Sequence, residues 1–352
     1  MIPLYKPYMP QHLPELDRIL HSGALASGKW GRLFERALKD FTGSKADVLA
    51  VSSFSAAIQV ALSTSGIQAG DEIIASPQSC LASTQSLATF GAKVVWADID
   101  PSRGTLCPDS VERKITPRTK IIFHNHHCSY PGYIDEVNAI GKKHGLRVID
   151  DCIEAFGSRY KGRMLGNLDT DITVFSFQTV RLPNTVDGGG IVFQERSLYE
   201  KAVRVRDLGI DRTTFRDAAG EINPESDVSM HGYGATMNEL SSYLGYRQMR
   251  DLPELLARQR GNAARWHEKM ANDYPDIKLL DTAGTEPGYW VFGVLSDRKA
   301  EMLNHFREKG YYCSGVHVPN TFYSVFGNQT ELPGVREFYS KFLALPCGWW
   351  VR

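Results

Sequence analysis

Residues 120–157 read "KIIFHNHHCSYPGYIDEVNAIGKKHGLRVIDDCIEAFG" and carry the pattern that decides the fold. A short apolar run at Lys120–His124 leads through a loop into helical spacing at Ile134–His144, then into a second apolar run at Leu146–Asp150. Such runs suit strands buried on both faces, and a parallel return between them needs a crossover, usually a helix. The alternation continues in both directions. Upstream lie "DVLAV", "DEIIAS" and "AKVVWAD", with helical patterns at Ala56–Ser63 and Ala82–Phe90. Downstream lie "DITVFSF" and "GIVF". The pattern predicts an α/β doubly wound arrangement over about residues 45–195.

The later chain changes character. "TMNELSSYLGYRQMRDLPELLARQRGNAARWHEKMANDY" is a long helical pattern broken near Pro253, and "YWVFGVL" and "DRKAEMLNHFREKG" follow as a strand and a helix with a glycine stop. This predicts a large α/β domain over 1–240 and a smaller α+β domain over 241–352, a division that suits a chain of 352 residues.

Composition narrows the function classes. Forty basic residues balance forty acidic ones, so nothing in the total charge favours nucleic acid or an anionic membrane as partner. No apolar run is long enough to span a bilayer. The opening "MIPLYKPYMPQHLPEL" is interrupted by prolines and lacks the apolar stretch of a secretory signal. Six scattered cysteines form no CxxC pair and read as free thiols of a cytoplasmic protein.

Ligands of open α/β sheets bind beyond the C-terminal strand ends, and three chemically loaded stretches map there. "VSSFSAA" places Ser52, Ser53 and Ser55 at a strand-to-helix turn, which suits either a phosphate or an ordinary serine N-cap. "RVIDDCIEAFG" ends a strand with Asp150 and Asp151, of which at most one faces a given cleft. A carboxylate there either holds a pyridinium nitrogen or is a solvated strand end. "HNHH" puts His124 and His126 on one face of an extended run. A third metal ligand is not evident, so stacking or hydrogen bonding is the expected role and no metal is expected.

Taken together, these stretches resemble the DegT/DnrJ/StrS family of sugar aminotransferases, which are pyridoxal-phosphate (PLP) enzymes of fold type I. The landmarks, in order, are "GIQAGDEIIASPQSC", "GAKVVWADIDP", "KITPRTKII", "YPGYIDEVNAIGKKHG", "VIDDCIEAFGSRYKGRMLGN", "FSFQTVRLPNTVDGGG", "GYGATMNELSSYLGYRQM", "YWVF" and "LPCGWWV". The resemblance implies a mostly parallel sheet flanked by helices, a smaller C-terminal α+β domain, and a dimer with shared active sites. It gives Asp151 the pyridine nitrogen, Ser176 and the Ser53–Ser55 turn the phosphate, and Glu154 the place of the phenolic-oxygen partner. Gln178, just beyond Ser176, is counted with these cofactor residues.

The departures from the family pattern surround the cofactor. Arg181 stands where the Schiff-base lysine is usual, and a guanidinium stays protonated and cannot form an aldimine. Val186 replaces a glycine, Phe54 enters the phosphate turn, Ile153 and Glu154 alter the segment under the ring, and "HHCSYP" replaces an "HWGGYP"-like stretch. Three readings follow. The first is a repurposed or non-catalytic relative of nucleotide-sugar metabolism, with PLP or its amino form PMP weakened or lost. It would bind a nucleotide-sugar or another phosphorylated small molecule, as a homodimer or paired with an active paralogue. The second is an aminotransferase or dehydratase with non-covalent PLP or PMP, its base drawn from His126, His127 or His231. The third is an ordinary transaminase, which would need a lysine from elsewhere, such as Lys29 or Lys161.

Overall fold

The computed structural model describes residues 1–327 and 331–351. Its main sheet has seven strands: β1 (Val48–Val51), β2 (Glu72–Ala75), β3 (Lys93–Trp96), β4 (Thr119–Asn125), β5 (Arg147–Cys152), β6 (Ile172–Ser176) and β7 (Gly189–Phe193). Their spatial order is β1-β7-β6-β5-β4-β2-β3. Strands β6, β5, β4, β2 and β3 pair in parallel, while β7 runs antiparallel to both β1 and β6. Nearly every residue of the central strands is buried, as strands covered on both faces require.

Local chemistry sets the helix ends. The helix α1 (Lys29–Thr42) precedes β1, and α2 (Phe54–Thr64) follows it, capped by the Ser53 hydroxyl accepting from the Ala56 N–H at 3.0 Å. After β2 comes α3 (Leu81–Thr89). Helix α4 (Ile134–His144) opens with Asp135 and Glu136 and closes with Lys142, Lys143 and His144, each sign favourable to the helix dipole at its end. Gly145 then takes a left-handed φ of 63° and stops it. Helix α5 (Arg196–Arg206) follows β7.

The long pattern of the later chain is two helices, α6 (Glu239–Met249) and α7 (Leu252–Asp273), with Pro253 in the first turn of α7, where its missing N–H costs nothing. Helix α6 lies against α1, and a Cβ on Gly245 would stand 2.6 Å from the Phe34 ring. A three-stranded antiparallel sheet, β8 (Lys278–Leu279), β9 (Phe292–Leu295) and β10 (Phe342–Leu345), carries α8 (Lys299–Glu308) and α9 (Pro333–Lys341). The strand expected at "YWVF" thus begins at Phe292, and β10 had no local signal because it continues α9 without a turn residue. Among the described residues no helix is long and apolar enough to cross a membrane.

Candidate active site

The alternation along β5 sends Asp150 and Asp151 to opposite sides. Asp150 is wholly buried and accepts from His124 Nδ1 at 2.9 Å and His126 Nε2 at 3.1 Å. His126 Nδ1 in turn accepts the Gly132 N–H at 2.9 Å. Burial alone would raise the Asp150 carboxyl. The two imidazoles outweigh it and hold the group well below the usual carboxylate range. His124 and His126 of "HNHH" therefore serve a buried network with Asp150, and His126 has no proton-accepting nitrogen left for a cleft reaction.

Asp151 faces the other way and is also wholly buried. The Ser83 hydroxyl donates to one carboxylate oxygen at 2.6 Å and the Ile153 N–H to the other at 3.0 Å. Burial dominates here, because neither donor is charged, and the carboxyl is pushed up to about 7.

Between the strand ends and the second sheet lies a charged cluster. Glu154 Oε2 accepts the Cys128 N–H at 2.7 Å, and Oε1 accepts from His317 Nε2 at 2.7 Å. Arg181 Nη2 lies 3.5 Å from the same Oε1. Burial would raise the Glu154 carboxyl, but the His317 and Arg181 charges bring it down to about 2. The Arg181 guanidinium stacks 4.2 Å over the Trp290 ring, and Tyr5 stacks on the same indole at 4.5 Å between ring centroids. Among the described residues Arg181 Nε and Nη1 have no partners. The space beside it, bordered by Ser129, Ile153, Glu154, Ser176 and Trp290, measures about 20 Å³, room for one water.

Of the residues expected from sequence, Glu154, Ser176, Arg181 and Ile153 border one space. Asp151 lies buried behind it on Ser83. Ser53 spends its hydroxyl on the α2 cap, and Ser55 and Gln178 are exposed. The arginine pairs with Glu154. His127 is buried and pushed down to about 3 by burial, while His231 is exposed. Neither candidate lysine borders the space: Lys161 pairs with Asp135 at 2.7 Å, and Lys29 lies over the Trp30 ring. Val186 takes a φ of 69°, the left-handed region that a glycine would occupy freely. At the neighbouring triplet, a Cβ on Gly189 would stand 2.7 Å from the Ser53 carbonyl, so the close approach there excludes side chains. Sequence reasoning missed Tyr5, Ser83, Trp290 and His317.

Comparison with known proteins shows the family and the fold. The model of the DegT/DnrJ/EryC1/StrS aminotransferase family matches residues 9–350. Among solved structures, the sugar aminotransferase CalS13 from Micromonospora echinospora shares 26% identity with a TM-score of 0.93, the alignment covering 100% of this chain and 96% of that one. AtS13 from Actinomadura melliaura shares 30% identity with a TM-score of 0.92, covering 100% and 95%. DesV from S. venezuelae, solved with a ketimine intermediate, shares 25% identity with a TM-score of 0.86, covering 99% and 95%. The match spans both the main sheet and the C-terminal sheet, and the chain belongs to the DegT/DnrJ/EryC1/StrS aminotransferase family.

Proposed function

We propose that this chain is a sugar-aminotransferase relative of nucleotide-sugar metabolism that does not transaminate by itself. The observation that carries the reading is Arg181, fixed between Glu154 and Trp290 at the position where the resemblance puts a lysine. A pyridine ring bearing a phosphate does not fit among these side chains as they stand. Asp151 has no exposed surface and both its oxygens are engaged. Glu154 is committed to Cys128, His317 and Arg181, and the adjacent space of about 20 Å³ is far below the several hundred Å³ of ordinary ligand sites. PLP and PMP binding is accordingly weakened or lost.

The retained scaffold then serves to bind a nucleotide-sugar or similar phosphorylated ligand in the cytoplasm. It does so as a dimer, with a second copy or with an active paralogue. The division at about residue 240 belongs to the same reading, with a single core continuing through residues of both parts, such as Phe54 and Phe342.

The test is an absorption spectrum of the purified protein with PLP and then PMP, beside an Arg181→Lys variant. No cofactor band is expected in the unaltered protein, and no amino sugar from a nucleotide-linked keto sugar and glutamate. A stoichiometric band with turnover in the unaltered protein would overturn the reading. A second reading, non-covalent PMP, draws on the raised Asp151 carboxyl and the buried Ser176. It fails if PMP binds the Asp151→Ala variant as well as the unaltered chain.

A further inference from the structure

Cys128, His127 and Glu154 lie close together, and His317 joins them through Glu154, a grouping that ion pairing alone does not explain. His127 Nε2 lies 3.5 Å from Cys128 Sγ. One donor atom each from His127, Cys128 and Glu154 falls within 4.8 Å of the others, and His317 Nε2 is 2.7 Å from Glu154 Oε1. A tetrahedral zinc ion with Zn–S of about 2.3 Å and Zn–N of about 2.0 Å separates sulfur and nitrogen ligands by roughly 3.5 Å. The His127–Cys128 separation therefore already matches one edge of such a tetrahedron.

A second, independent observation comes from the backbone. Cys128 and Ser129 are both left-handed, with φ of 52° and 79°. Two successive non-glycine residues in this region cost about 1–2 kcal/mol each, and such strain concentrates at functional sites. Here the bend aims the Cys128 N–H at Glu154 while its sulfur faces His127.

We infer that Cys128 Sγ, His127 Nε2 and Glu154 form a binding site for a thiolate-accepting divalent transition metal of the zinc class, with His317 holding Glu154 in place through its Nε2–H. One thiolate, one carboxylate and one imidazole, with a water in the fourth place, are a borderline-soft donor set, which zinc accepts and magnesium and calcium do not. On binding, the Cys128 thiol releases its proton to solvent. The thiolate and Glu154 then neutralise the ion, and Arg181 stays at the outer edge of the carboxylate. The His317 side chain is 16% exposed against 2% for Glu154, so it marks the side of entry. This set is separate from His124, His126 and Asp150, which spend their donors on one another. It shares Glu154 with the preceding reading, yet the two fail separately, one on cofactor spectra and turnover, the other on metal content.

The experiment uses the full chain, stripped with a chelator and titrated with Zn²⁺ and Co²⁺. The expected result is stoichiometric metal by mass spectrometry and a thiolate-to-cobalt charge-transfer band in the near ultraviolet. Cys128→Ser removes that band, and His317→Gln weakens binding about 10-fold or more. Circular dichroism checks that each variant is folded. If Cys128→Ser does not fold, His317→Gln decides alone, because its side chain is partly exposed. Metal at trace level only, or a band and affinity unchanged in the folded variants, overturns the site.

Discussion

The Arg181 guanidinium lies over the Trp290 indole, 4.2 Å from its centroid, and Trp290 donates its own N–H to the Val180 carbonyl at 2.9 Å. The arginine and its platform are thus locked through adjacent backbone. Arg181→Ala removes both the cation–π contact and the guanidinium partner of a buried carboxylate, which costs about 2–4 kcal/mol. Arg181→Lys keeps a charge but loses the planar stack, and it loses less than the alanine variant. Urea unfolding of the three proteins checks both the size and the order.

Asp151 gives stability a pH dependence of unusual sign. Its folded-state carboxyl is raised from 3.8 to about 7, chiefly by burial, so the protonated form is the one the fold prefers. Its contribution is complete below the ordinary carboxyl value and is lost as pH rises from there through about 7, a change of a few kcal/mol at about 1.4 kcal/mol per pH unit. His127, pushed down to about 3, acts with the opposite sign over part of this range, so the test is a difference measurement. Relative to the unaltered chain, Asp151→Asn gains stability as pH rises from 4 to 8. Thermal unfolding curves that stay parallel for the two proteins over this interval would exclude the raised carboxyl.

Val186 is β-branched, 57% exposed, and left-handed at φ 69°. Little packing is lost when its side chain is removed, and the backbone strain of about 1–2 kcal/mol is relieved, partly offset by the entropy of a glycine. Val186→Gly raises stability by about 1 kcal/mol, read as a higher Tm.

Gly245 shows the converse. An added Cβ would stand 2.6 Å from the Phe34 ring and 2.7 Å from the Thr185 methyl, at the packed face between α6 and α1. Gly245→Ala improves helix propensity yet overpacks this contact. Its net effect is a destabilisation of about 1–3 kcal/mol, measurable by denaturant titration.

What could be read from the sequence was what neighbouring residues determine. The bounds of α4 coincide with the expected Ile134–His144 because its terminal charges and Gly145 are local signals. The opposite facing of Asp150 and Asp151 follows from strand geometry alone. The family resemblance placed Glu154, Ser176 and Arg181 together, and they do border one space. The occupants of that space were not legible. His317 meets Glu154 across 163 residues of chain, and Trp290 meets Val180 across 110. The left-handed turn at Cys128 carries no glycine to announce it. Helices α1, α5 and α9 also lay outside the expected pattern, although α1 buries Phe34 and Leu38 on one face.

Tyr5 reaches the cleft because its segment is pinned from both sides. The Ile2 N–H donates to the Gly310 carbonyl at 2.6 Å, the Tyr312 N–H donates to the Ile2 carbonyl at 2.9 Å, and the Trp350 indole N–H donates to the Pro3 carbonyl at 3.0 Å. Ile2 and Pro3 thus meet Gly310, Tyr312 and Trp350, contacts of very large sequence separation, whose loop-closure cost is met only when the intervening structure has formed. The Tyr5 stack on Trp290 is therefore among the last contacts made as the chain folds, and among the first released when the Gly310–Tyr312 segment is loosened.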